Sequence, residues 1–165
     1  ANLKRCLLVT RLPVAGSDKE LVLINLHLEA FDDGSGKIEQ TKKLKEYMDK
    51  EVAKGNYVIA AGDFNQTFSN IDASMYPVVW DSWVAGLIDQ KDIGSNYQML
   101  MDNSAPTCRS NHKVYRDRDP NKPYQYFMID GFIVSDNVKV SDVSTKNLDF
   151  KSSDHNPVLL KFTLK

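Results

Sequence analysis

Cysteine is scarce. Cys6 and Cys108 are the only two in 165 residues, they lie far apart, and neither forms a CxxC or a Cys/His pair at metal-binding spacing. That excludes a zinc ribbon, a thioredoxin-like redox motif and a small disulfide scaffold, and leaves two structural thiols or one long-range bridge. No apolar run approaches the roughly 20 residues of a membrane-spanning helix, so no transmembrane segment is expected. An excess of one charge is also missing: 21 Lys and Arg stand against 22 Asp and Glu, for a net charge of -1. Binding to nucleic acid through overall charge is therefore disfavoured, although a locally basic groove is not. There is no internal repeat and no low-complexity linker. An apolar content of 42% with 26% charged residues is ordinary for a globular chain, and residues 1–165 are one domain's worth.

Arg5–Val14 and Glu20–Leu28 read as strands, and the polar turn Ala15-Gly16-Ser17-Asp18-Lys19 makes them a hairpin. In the second strand Val22, Ile24, Leu26 and Leu28 form a core face. Leu21, Leu23, Asn25 and His27 form a face that starts apolar and ends polar. After a loop, in which Asp33 or Ser35 is a candidate cap, Ile38, Leu44, Tyr47, Met48 and Val52 recur at helical spacing between Lys37 and Lys54. Gly55-Asn56 ends that helix and Tyr57–Ala61 follows as a buried strand. Strand, helix and strand of these lengths predict a βαβ unit with strands 20–28 and 57–61 parallel. Polar groups then gather beyond the carboxyl ends, His27 at one strand and Asp63 and Asn65 at the other.

The stretch Gly62-Asp63-Phe64-Asn65 carries two readings. If the chain stays extended, Asp63 and Asn65 point the same way and can hold a metal or orient a water. An Asp-x-Asn turn can equally bond its own backbone. Further on, a short helix over Asp81–Ile88, packing or rim positions for Trp80 and Trp83, and loop with a short helix over Asp89–Ser104 are expected. Arg109, Lys113, Arg116, Arg118 and Lys122 recur with Tyr115, Tyr124 and Tyr126 nearby. Such a loop either meets a phosphate-bearing substrate, through Arg109 and Tyr115, or is a solvated surface diluted by Asp117 and Asp119. His112 in this loop is read as an ordinary surface histidine. Tyr124–Ser135 reads as one strand with Asp130 in apolar company, and a carboxylate there needs a partner. Val138–Val143 and Pro157–Leu164 are the last strands.

Four separated clusters remain: Asn25-Leu26-His27-Leu28, Gly62-Asp63-Phe64-Asn65, Ile129-Asp130-Gly131-Phe132-Ile133 and Ser153-Asp154-His155-Asn156-Pro157. In order and content they resemble the endonuclease/exonuclease/phosphatase superfamily, the fold of DNase I, whose members include AP endonucleases, neutral sphingomyelinases and inositol polyphosphate 5-phosphatases. The resemblance runs from about residue 5 to the end. It implies an α/β (α+β) chain, the DNase I-like four-layer αββα sandwich, here a partial version with a mixed β-sheet and flanking helices. It also implies a magnesium- or manganese-dependent phosphoesterase acting on nucleic acid, a phospholipid headgroup or a sugar phosphate. By the same resemblance Asp63, Asn65, His27, Asp130 and His155 are catalytic. Asp63 faces the attacking water and Asn65 the phosphate, while Asp130 orients His155 and His27 donates to the phosphate or leaving group. Asp154 lies at the cation and Asn25 braces the neighbouring loops.

The family's first half also supplies a glutamate in a Q-E pattern, its principal magnesium ligand, and this sequence has no such dipeptide ahead of Asn25. The expectation is a truncated domain lacking the N-terminal half, with magnesium weakly bound or absent and little hydrolysis by itself. A missing N-terminal half or a second copy would then cover the exposed sheet face. The competing expectation is a non-catalytic interaction or scaffold fragment that retains the family's residues.

Overall fold

The computed structural model describes residues 5–31, 35–79 and 83–165. Strand β1 (Leu8–Pro13) turns through Gly16 into β2 (Glu20–His27), antiparallel and in register from Leu8 opposite Asn25 to Pro13 opposite Glu20. Helix α1 (Ser35–Val52) follows, and then β3 (Tyr57–Asp63), which lies parallel to β2 as the βαβ spacing predicts. Val22, Ile24 and Leu26 of β2 and Val58 and Ala60 of β3 are buried under Leu44 and Met48 of α1. Each fully buried aliphatic side chain of this kind contributes about 1.5–3 kcal/mol. The opposite face of β2 stays half-open, with Leu21 and Leu23 partly covered and Asn25 and His27 exposed.

Beyond β3 come the short parallel pair β4 (Gln66–Phe68) and β5 (Gly86–Ile88), the single turn α2 (Gln90–Ile93), and β6 (Tyr97–Leu100). The expected helix over 81–88 is not formed: Gly86–Ile88 is strand, and Asp81 lies outside the described residues. A Trp-Val-Ala-Gly-Leu-Ile run suits either period, and pairing with β4 decides it. Trp83 packs edge-on against Phe127 at 4.8 Å and donates to Ala30 O at 2.7 Å, a rim position as expected, whereas Trp80 lies outside the described residues. Strand β6 replaces part of the expected 89–104 loop.

The expected single strand over 124–135 is broken. β7 (Cys108–Arg109) pairs with β8 (Tyr126–Phe127), whereas β9 (Asp130–Ser135) pairs with β3 and β6. At the crossing, Thr107 Oγ1 accepts from the N–H groups of both Ile129 and Asp130, and Thr67 Oγ1 donates to Met128 O. The chain changes partners there because threonine side chains take over the ladder bonds of residues 128–130. The main sheet has the order β1-β2-β3-β9-β6.

β10 (Val138–Thr145) and β11 (Val158–Leu164) form a hairpin whose Val140, Leu160 and Phe162 pack against Ile59 and Phe132 on the face away from α1. A groove of about 300 Å³ remains on that face between Leu23, Ala61, Phe132, Leu160 and Phe162. Among the described residues the architecture is thus mixed α/β, with one five-stranded sheet, three two-stranded pairs and two helices. A second large sheet of a four-layer sandwich is not among them. Both cysteines are free, so the long-range bridge is not formed.

One buried ionic knot ties the edge strand to the helix. Glu51, 2% exposed, accepts from Arg11 at 2.7 and 3.0 Å, from Lys54 at 2.9 Å and from Asn56 at 2.9 Å. The Arg11 hydrogen bonds outweigh burial and hold its carboxyl down to about 2. A depressed carboxylate stabilises the fold fully above its unfolded value, and that contribution is lost as pH falls through about 2. Glu51→Gln is expected to cost about 1–3 kcal/mol at pH 7 and to flatten the loss of stability between pH 5 and pH 2 in urea unfolding. An unchanged acid limb would contradict this assignment.

Candidate active site

The site is set by register. Parallel pairing places His27 opposite Asp63, and antiparallel pairing places Asp63 opposite Asp130, so three polar residues line up across three strands at one sheet edge. The row before them is Leu26, Gly62 and Gly131. Gly62 has φ 140°, and a Cβ there would lie 2.1 Å from Leu26 O; a Cβ on Gly131 would lie 2.5 Å from Leu100 O. Close backbone approach at these two positions demands glycine.

His155 comes from the segment just before β11. It forms a bridge with Cys108, and its Nδ1 lies 2.9 Å from Asp130 Oδ2. The partner that a carboxylate at position 130 requires is therefore His155, and Nδ1 donates to it. The Nε2 side of the ring faces Cys108 Sγ at 3.5 Å and Asp63 Oδ2 at 3.8 Å, and His27 Nε2 lies 3.5 Å from that same oxygen. Asp63 thus sits between two imidazoles.

Asn65 does not sit where an extended chain would put it. Its φ is 51°, it is 5% exposed, and its Nδ2 donates to Leu28 O at 2.9 Å. Its backbone N–H donates to Asp63 Oδ1 at 2.8 Å. The backbone-bonding alternative for an Asp-x-Asn turn is realised, and Asn65 ties the ends of β2 and β3 together. Asn25 lies exposed on β2 and makes no side-chain hydrogen bond among the described residues, so the bracing anticipated for it falls to Asn65.

Asp154 is held by Asn111, whose Nδ2 donates to Oδ2, and Asp154 O accepts from Arg109 N at 2.9 Å. It stands outside the group in which Asp63, Asp130 and His155 bring ligand atoms within 4.8 Å of one another. Arg109 and Tyr115 line a cavity beside the centre, together with His112. Sequence reasoning missed Cys108 as the neighbour of His155 and Asn111 as the partner of Asp154. Neither has a local signal, since both contacts join segments more than 40 residues apart.

Burial pushes the Asp63 carboxyl up, the Asp130 charge adds to it, and the Asn65 N–H and the two histidines oppose them. Burial works against a charge on Asp154, yet the Asn111 hydrogen bond and a backbone N–H bring its carboxyl below the ordinary value. Burial raises the Cys108 thiol, which stays protonated at neutral pH. For His155 burial favours the neutral ring, but hydrogen bonds to Asp130 and Cys108 prevail and lift it to about 11. Such a group stabilises the fold fully below the unfolded value near 6.5, and the contribution is lost as pH rises through about 11. Nitrogen-15 shifts are expected to show a doubly protonated His155 ring at pH 8, and a neutral ring there would contradict the pairing.

The donor set can be weighed against a cation. Magnesium takes oxygen ligands in octahedral geometry and is commonly held by one or two carboxylates, waters and substrate phosphate oxygens. Asp63 and Asp130 supply carboxylates, but Asp130 already accepts from His155 through both oxygens, at 3.1 and 2.9 Å. The residues fit an ion shared with a bound phosphate, and they do not make an all-protein cage.

No protein-family model and no curated protein matches the chain. Solved structures do match. A Danio rerio TDP2 complexed with single-strand DNA product superposes with a TM-score of 0.62 at 18% identity, over 96% of this chain and 62% of that one. An endonuclease/exonuclease/phosphatase family protein from Bacteroides thetaiotaomicron gives 0.51 at 18% identity, over 92% and 52%. The chain shares part of the fold of these proteins. A mannosyl-6-phosphatase from Bacteroides thetaiotaomicron shares that fold at a TM-score of 0.50 and 20% identity, over 88% and 52%. The chain therefore spans about half to three-fifths of the length of these proteins.

Proposed function

We propose that the chain carries the histidine–aspartate part of a metal-dependent phosphoesterase centre, in keeping with its endonuclease/exonuclease/phosphatase fold. The observation that carries this reading is the row His27–Asp63–Asp130 with His155 closing on it. His155, fixed by Asp130 and protonated, presents Nε2–H to a phosphoryl oxygen and stabilises the charge that builds there. Asp63, its carboxyl raised by burial and by the Asp130 charge, accepts a hydrogen bond or a proton from the attacking water. His27, the most exposed of the set, donates toward the leaving group. Asn65 holds Asp63 through its backbone N–H. Magnesium or manganese, when bound, would supply further charge stabilisation on the phosphate, with Asp63 as the oxygen donor within the converging group and Asp154, outside that group, reached only by an ion displaced toward it.

The solved structures include a TDP2 with DNA product and a mannosyl-6-phosphatase, so diester and monoester substrates both belong in the test. Hydrolysis of a single-stranded oligonucleotide, a phospholipid headgroup ester and a sugar phosphate, each with and without magnesium, decides the substrate class. The 165 residues alone are expected to turn over slowly, because few hard donors surround the phosphate position. A rate that stays high after chelation would contradict a metal-dependent centre. The half-open face along Leu23, Phe132 and Phe162 would be covered by further segments of a longer protein or by a second copy. Strong binding of a hydrophobic dye by the chain alone is expected.

A further inference from the structure

Beside the His155 centre lies a cavity of about 730 Å³, walled by residues from 109–118 and 149–151. The lining of this cavity, in a chain of net charge -1, holds Arg109, Lys113, Arg116, Arg118 and Lys151 and one acid, Asp149, although Arg116 pairs with Asp117 just outside it. The wall is built rather than loose. Tyr115, 8% exposed, is in contact with two guanidinium groups, with Arg118 Cζ 3.8 Å and Arg109 Cζ 4.9 Å from its ring centre. Tyr124 and Phe150 pack edge-on against it at 5.0 and 5.5 Å. Asp149 accepts from Arg118 at 2.9 Å and from Tyr115 at 3.0 Å. Asp149 and Phe150 both adopt left-handed backbone, φ 52° and 51°, which a bulky residue keeps only where its surroundings impose it.

Within this wall Arg109 is the incomplete group. Its Nη1 donates to Ser110 O at 3.1 Å and Asn111 Oδ1 at 2.6 Å and its Nε is shut off from water, which leaves Nη2 as the accessible donor without an acceptor among the described residues. A planar guanidinium on an aromatic platform, with Nη2 to spare, matches the geometry of a phosphate group. The cavity also joins the centre directly. Arg109 N–H donates to Asp154 O, and its neighbour Cys108 is the residue whose sulfur faces His155 Nε2.

We propose that the Arg109–Tyr115–Arg118 cavity binds a second phosphate group of the substrate. The substrate then carries at least two phosphates, either on one polyol or as neighbouring phosphates of a nucleic-acid strand. The inference rests on the phosphoesterase reading for what occupies the centre, but not for the cavity's own affinity.

Calorimetric titration of the full chain without metal, where nothing turns over, tests it. The probes are fructose 1,6-bisphosphate against fructose 6-phosphate, and a 5′-phosphorylated dinucleotide against its mononucleotide. In at least one pair the doubly phosphorylated probe is expected to bind about tenfold tighter, about the worth of one charge-assisted contact. Arg109→Gln should bring the pair to parity. Lys151→Gln, at an exposed position without risk to the fold, should cut the gain several-fold. Asp149→Asn, which suits the left-handed backbone at that position, should widen the gain by freeing Arg118 from its counter-charge. A gain confined to the sugar pair identifies a polyol phosphate, and one confined to the nucleotide pair identifies a strand. Equal affinities within both pairs would overturn the proposal, as would a gain that survives both Arg109→Gln and Lys151→Gln. If a protein that includes this chain hydrolyses no phosphate ester with magnesium while the metal-free chain still shows the gain, the cavity stands and only the phosphoesterase reading is lost.

Discussion

Gly62→Ala is expected to destabilise the chain by about 4 kcal/mol or more, or to prevent folding, the range reached when a core position is overfilled without room to relax. The added Cβ would sit 2.1 Å from Leu26 O and 3.2 Å from Leu26 N, backbone atoms of the strand hydrogen-bonded alongside. Nothing flexible can yield. Relief requires β2 and β3 to part at the row just before His27 and Asp63, and Leu28 N–H would lose Asp63 O, now 2.9 Å away. Gly16→Ala is the control. Gly16 also has positive φ, 76°, but its Cβ would meet nothing within 4 Å. It should cost only the backbone term, about 1–2 kcal/mol. Urea unfolding of the two variants separates the clash from the dihedral. A Gly62→Ala chain as stable as Gly16→Ala would mean that the two strand ends are not held this closely.

Asp130→Asn is expected to lower phosphate-ester turnover by about 10²–10³-fold while leaving the fold intact, the scale of losing one charge-stabilising donor. Asp130 accepts from His155 Nδ1, and its charge stabilises the doubly protonated ring, whose second proton lies on Nε2, the nitrogen that faces Asp63 and Cys108. An amide brings no negative charge to hold the second proton, so the ring becomes neutral and the cationic donor facing the phosphoryl oxygen is lost. The two faces of the effect should appear together. The turnover number falls with little change in KM, and the His155 ring titrates near its ordinary value instead of at about 11. A variant that loses activity while its His155 stays protonated to high pH would assign Asp130 a merely structural part.

Much of this centre could be read in the chain before its fold was seen, and the reasons differ by element. The unit β2-α1-β3 carries long, unambiguous periods, so its parallel pairing followed from spacing, and with it the meeting of His27 and Asp63 at one edge. The need of Asp130 for a partner followed from its apolar neighbours, and His155 supplies it. Asn65 misled because its local backbone turns left-handed, a choice made by the tie to Leu28 O and not by any pattern of side chains. The break at Met128 and Ile129 was invisible because both residues are buried and strand-like, and only the hydroxyls of Thr67 and Thr107, from other segments, reveal the change of sheet. Tyr97–Leu100 is too short to announce a strand, and pairing with β9 creates it. Cys108 looked inert for the same reason: its importance lies in a bridge to His155 that no local period encodes.

Turnover by a protein that includes this chain, compared with its Asp63→Ala and His155→Ala variants at matched circular dichroism, tests the central claim most directly. With magnesium and the best of the phosphate-ester substrates, the unmodified protein is predicted to hydrolyse the ester. Each substitution is predicted to reduce the rate by about 10³-fold or more, the usual scale for removing an acid–base or charge-stabilising group. Hydrolysis that survives both substitutions within a few-fold would contradict the assignment of this sheet edge as the catalytic centre.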